Sequence, residues 1–157
     1  MKSETLSQNL DQEAIEVFID SLAHFYRQIG VDEAQIGVPY LLDSNKTIIS
    51  DFTGIIGVSG KRKGCVYYTC PKAMLSYILL AMGEKEVSSS YLCDLVGEIA
   101  NTIAGNARKA FGSDFMISVP VVVQGKPERI QLPESTRSVV IPAKWKFYES
   151  IIVVALE

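Results

Sequence analysis

The sequence predicts an α+β fold, a largely antiparallel sheet with helices packed on it, and three observations carry that expectation. Helix-periodic segments occur at residues 10–29, 72–83 and 90–112, whereas the remaining apolar runs are short and rich in β-branched residues. The last two helices follow one another without a strand between them, which leaves too few β-α alternations for a doubly wound parallel sheet. Finally, Gly60-Lys-Arg-Lys-Gly64 separates two strand-like runs as a hairpin turn would.

In chain order, Leu10, Ala14, Ile15, Val17, Phe18, Leu22, Phe25 and Tyr26 recur mostly at spacings of three and four, and Gly30 is the expected stop. A short strand is expected over residues 38–42, after Pro39, followed by a turn at residues 43–46. Strand signals then fill residues 47–59 and 65–69 around the hairpin. Pro71 opens the second helix, whose residues 74–82 are apolar on nearly all sides, so it is expected to be buried with Met74 and Met82 as core fillers. The polar residues 84–90 supply serines able to cap the third helix. Residues 115–124 form a strong β run interrupted by Pro120, which suits an edge, a bulge or a strand starting just after it. A short strand over residues 138–141 should stop at Pro142, a long one should close the chain over residues 147–156, and residues 129–132 should pair between them.

The 157 residues, 48% apolar and 21% charged, fit one domain spanning the chain, with about the first nine residues expected to be disordered. A formal charge of −3 gives no footprint for nucleic acid. No apolar run approaches the roughly 18 residues that span a bilayer, and the start lacks the apolar core of a signal peptide, which points to the cytoplasm. Cys65, Cys70 and Cys93 have neither zinc nor C-x-x-C spacing and read as free thiols; His24 has no ligand partner at a useful spacing. Neither a metal nor a cofactor of its own is expected. The glycine-flanked turn superficially evokes a phosphate-binding loop, but G-x-x-x-x-G-K-[ST] would need glycine where Ile55 stands and a hydroxyl residue where Arg62 stands.

The third helix carries the chemistry. At about 100° per residue, Leu92, Leu95, Val96, Ile99, Ala100, Ile103, Ala107, Ala110 and Phe111 form a core arc. Asp94, Glu98, Asn101, Gly105, Arg108 and Lys109 form the opposite one. Glu98 and Asn101, three apart, are neighbours on adjacent turns. Gly97 and Gly105, on or beside the polar side, each cost roughly 1 kcal/mol relative to alanine. Either something approaches closely there, or the buried face tolerates them.

Asp94-x-x-x-Glu98-x-x-Asn101 resembles the D/S-x-x-x-E-x-x-N signature of the CheX and CheC chemotaxis phosphatases. The likeness extends to the GIIGVSGKRKG hairpin, the PKAMLSYILLAMG helix, the ISVPVVVQG run and the closing strand; one copy of the motif is present, as in CheX. The resemblance implies dephosphorylation of the aspartyl phosphate of a CheY-like response regulator, with the partner supplying Mg²⁺. Asn101 would orient the attacking water, Glu98 would hold a partner lysine, and Asp94 would contribute at the rim or to the helix dipole. Spacing adds Gly105 as clearance for docking. A homodimer is implied by the resemblance and by the apolar strands after Gly112. The alternatives are a non-catalytic binding or adaptor module, as in related domains of flagellar switch proteins, and a structural dimer without a regulator partner.

Overall fold

The computed structural model describes residues 11–30, 33–43, 46–127, 130, 132 and 137–157. Among these, the chain runs α1 (Gln12–Ile29), β1 (Gln35–Ile36), β2 (Tyr40–Leu42), β3 (Phe52–Gly60), β4 (Gly64–Cys70), α2 (Lys72–Ala81), α3 (Ser89–Phe111), β5 (Phe115–Ile117), β6 (Val121–Gln124), β7 (Ser138–Trp145) and β8 (Tyr148–Leu156). The strands form one eight-stranded sheet in which every pairing is antiparallel. Its order is β7-β8-β4-β3, with β1 and β2 both lying against β7 and β5 and β6 both lying against β3. The expected α+β architecture is therefore what the chain adopts.

Helices cover one face of the sheet. Phe18, Leu22 and Phe25 of α1, Met74, Leu75 and Ile78 of α2, and the apolar arc of α3 close over Ile56, Tyr68, Ile141, Ile152 and Val154. A smaller cluster on the other face joins Leu42, Tyr67, Val140 and Val153, with Ile48, Ile130 and Leu132 packed on it. Hydroxyls are paired where they are buried: Tyr26 Oη bonds Tyr68 Oη at 2.9 Å and also Ser150 Oγ, tying α1 to β4 and β8. Burial pushes both tyrosine hydroxyls well above their ordinary pKa. They remain neutral donors and acceptors.

Caps set the helix starts. Asp11 accepts from the Ala14 N–H at 2.8 Å to begin α1, and Ser88 accepts from the Tyr91 N–H at 3.2 Å to begin α3, one of the serines expected to do so. Pro120 separates β5 from β6, as one of its three readings allows. Pro142, in contrast, does not stop β7. Its carbonyl accepts from the Gly37 N–H at 2.8 Å, so its nitrogen also faces the edge, between the end of β1 and the start of β2, and no ladder donor toward β8 is lost. The second helix also departs from expectation. Met74, Leu75, Ile78 and Leu79 are buried, but Tyr77, Leu80 and Met82 lie on the surface, because only one side of α2 packs into the core. Met82 is no core filler. The expectations for the first nine residues, and for Arg129 and Gln131 within 129–132, fall outside the described residues.

The position of α3 on the sheet is set at one crossing. A Cβ built on Gly54 of β3 would lie 2.8 Å from Ala100 Cβ and 2.9 Å from the Val96 carbonyl oxygen. Only glycine lets α3 sit this low. Gly54→Ala should therefore push α3 away from β3 and lower stability by about 1–3 kcal/mol, read as a lower urea midpoint at unchanged m-value. An unchanged midpoint would show that the crossing is not tight.

Candidate functional site on the outer face of α3

The buried side of α3 consists of Leu92, Leu95, Val96, Gly97, Ile99, Ala100, Ile103, Ala104 and Ala107. Burying each large aliphatic among them contributes roughly 1.5–3 kcal/mol, which outweighs the roughly 1 kcal/mol cost of each helical glycine. Two positions depart from the sequence expectation. Ala110, assigned to the core arc, is exposed. Gly97, expected on or beside the polar side, is buried: a Cβ there would lie 3.1 Å from Val122 Cγ2 and 3.7 Å from Pro120 Cγ. Its close approach is internal, to β6 and the residue before it.

Asp94, Glu98 and Asn101 are all exposed on one stripe, as their spacing requires. Among the described residues none of them makes a side-chain hydrogen bond or ion pair. A carboxylate and a carboxamide are thus held on adjacent turns of a packed helix with their polar atoms unengaged. Gly105 continues the stripe half-buried, and a Cβ there would meet nothing within 4 Å. Tyr91 belongs to the same stripe and sequence reasoning passed over it. It precedes Glu98 by seven residues, two helical turns, and is 43% exposed, so the wheel that placed Glu98 could have placed it too.

The site is a convex surface. A cavity of about 360 Å³ is lined by Tyr77, Lys146, Phe147 and Tyr148, none of them on α3, and one of about 100 Å³ by Lys61, Arg62, Phe111, Asp114 and Phe115, at the far end of α3 from Glu98. An exposed helix face suits a macromolecular substrate better than a small molecule, which needs enclosure. Among the described residues no group of three or more His, Cys, Asp or Glu side chains is placed to hold a metal ion. The cysteines are free; burial raises the Cys65 thiol to about 11, so it is no nucleophile. His24 is exposed on α1. No helix among the described residues is long and apolar enough to cross a membrane.

Residues 52–144 match the family model of the chemotaxis phosphatase CheX. No curated protein matches the chain. Among solved structures, the chemotaxis protein CheX from Vibrio vulnificus is similar over 92% of this chain and 99% of its own, with 25% identity and a TM-score of 0.81. A CheC-like superfamily protein from Shewanella sp. PV-4 is 27% identical over 94% of this chain and 99% of its own, with a TM-score of 0.80. The same fold, at 18% identity and a TM-score of 0.75, covers 92% of this chain and 97% of the matched chain in the CheX-CheY-BeF3-Mg²⁺ complex from Borrelia burgdorferi.

The open space at Gly105 generates a stability prediction. Gly105→Ala should raise the stability of the isolated protein by up to about 1 kcal/mol, measured as a higher melting temperature. A fall would mean that the glycine serves internal packing.

Proposed function

The chain belongs to the CheX family of chemotaxis phosphatases, and from that membership and the unengaged pair on α3 we propose that it hydrolyses the aspartyl phosphate of a CheY-like response regulator. In this reaction a water oxygen attacks phosphorus and the bond from phosphorus to the aspartate oxygen breaks. The products are a free carboxylate and inorganic phosphate. Charge on the phosphoryl group is balanced chiefly by Mg²⁺ bound to the partner, so this chain need supply only position.

Asn101 supplies it. Its amide enters the partner's site and holds the water in line with the phosphorus, one group both accepting from and donating to the water. Glu98, on the adjacent turn, takes a charge-assisted hydrogen bond from a partner lysine and so fixes how deep Asn101 enters. Asp94 and Tyr91 extend the contact toward the start of α3, Tyr91 as a rigid aromatic surface of the kind that anchors interfaces. The flat spot at Gly105 lets the partner's backbone lie close. The observation that carries the reading is the exposed Glu98–Asn101 pair with no partner among the described residues, in a chain of this family. That a protein of the same fold forms a complex with CheY, BeF3 and Mg²⁺ supports the choice of partner. We also propose that the protein acts as a homodimer, since Val119 and Val121 leave an apolar border along the β5–β6 edge; a monomeric mass by light scattering at micromolar concentration would contradict it.

Asn101→Ala should cut dephosphorylation of a phosphorylated regulator by about 10²-fold or more, with little change in melting temperature because the position is exposed. Glu98→Gln should weaken binding and flatten its dependence on salt. Full activity in Asn101→Ala would overturn the mechanism. An inactive parent that still binds the regulator would favour the adaptor reading.

A further inference from the structure

The outer stripe of α3 does not end at Gly105. It continues into Arg108 and Lys109, both exposed, and there the fold adds three cations from far away in the sequence. Lys61, Arg62 and Lys63 form the turn between β3 and β4. Arg62 lies over the Phe111 ring, 5.1 Å from its centroid, and pairs with Asp11 at 3.5 Å. The Lys61 N–H donates to the Asp114 carbonyl at 3.2 Å, and the Lys63 carbonyl accepts from the Glu157 N–H at 2.8 Å. Arg62 is thus half-buried and neutralised, a rivet holding the turn against the end of α3. Lys61, Lys63, Arg108 and Lys109 stay exposed and make no ion pair with any described residue.

Each group has an ordinary role alone. Cations in a last helical turn complement the helix dipole, and lysines at a hairpin tip keep it solvated. Neither role requires the two groups to meet. The turn docks at Phe111, two and three residues beyond Lys109 and Arg108, and four unpaired cations there outnumber the exposed carboxylates of Asp114 and Glu157. This gives α3 a polarity: carboxylates at Asp94 and Glu98, then Asn101, then a net-basic end, on a chain whose formal net charge is −3. Arg108 lies seven residues beyond Asn101, about 10 Å along the axis. A standard interface covers about 800 Å² on each partner, so a footprint centred on Asn101 reaches the basic end.

We propose that this basic end, Lys61, Lys63, Arg108 and Lys109, steers and orients the acidic rim around the phosphoaspartate of the partner. The proposal rests on the phosphatase reading of α3. A site that carries an acyl phosphate and binds Mg²⁺ gathers carboxylates, and a chain of net charge −3 is repelled by them on average. A basic end lowers that repulsion in one orientation only, the one that brings Asn101 over the phosphoryl group.

The test is the double reversal Lys61→Glu/Lys63→Glu, which leaves Arg62, Glu98 and Asn101 in place. Its comparison is Lys46→Glu/Lys144→Glu, the same change of charge at the β2 and β7 side of the sheet. Dephosphorylation is followed against regulator concentration at low and high ionic strength. At low salt the turn variant should show about a tenfold higher KM at nearly parental kcat, a gap that closes as salt rises, while the comparison variant keeps the parental KM. An unchanged KM and salt slope in the turn variant, or an equal rise in both variants, overturns the steering surface and leaves the phosphatase reading standing. A parent inactive on every phosphorylated regulator overturns both.

Discussion

The close crossing of α3 over β3 is the constraint from which the rest of the molecule follows. Gly54 removes the one Cβ that would hold the helix off the sheet at Val96 and Ala100, and Gly97 removes another on the β6 side. With α3 pressed down on both flanks, its rotation about its own axis is settled by packing of Leu92, Leu95, Ile99 and Ile103. Once that rotation is set, Asp94, Glu98 and Asn101 can only point outward. Preorganisation of the proposed site is therefore a consequence of core packing, with no hydrogen bond from a described residue to the functional side chains themselves.

This arrangement suits a protein that contributes geometry to chemistry completed elsewhere. A helix is a stiff ruler: adjacent turns lie 5.4 Å apart, so an anchoring carboxylate and a water-holding amide three residues apart keep a fixed offset. A convex face can enter a partner's pocket, whereas a concave one would need the partner to protrude. Family membership and the exposed pair both agree with a protein substrate.

What could be read from the sequence was whatever local periodicity and end signals encode. The three helices, the β3–β4 hairpin, the serine cap before α3 and the outward direction of Asp94, Glu98 and Asn101 are all of this kind. What could not be read depends on partners distant in sequence. Pro142 looked like a stop because a missing donor matters only if its nitrogen faces a paired strand, and the neighbouring strand is interrupted there. The all-round apolarity of α2 suggested burial, but Leu80 and Met82 are exposed. Gly97 sat at the margin of the polar arc on the wheel, which gives an angle and says nothing of how closely β6 approaches. The two-residue β1 is too short for any periodicity. The basic end was invisible for the same reason, since its halves lie more than forty residues apart and a net charge of −3 conceals them.

The central claim is that this chain removes phosphate from a response regulator's aspartate. It is tested most directly by following the lifetime of the phosphoryl group on a panel of phosphorylated CheY-like regulators with and without the protein at substoichiometric concentration. The account predicts a shortened lifetime for at least one regulator, with more than one phosphate released per protein molecule. Unchanged lifetimes across the panel, with each regulator shown to be phosphorylated and folded, would contradict it.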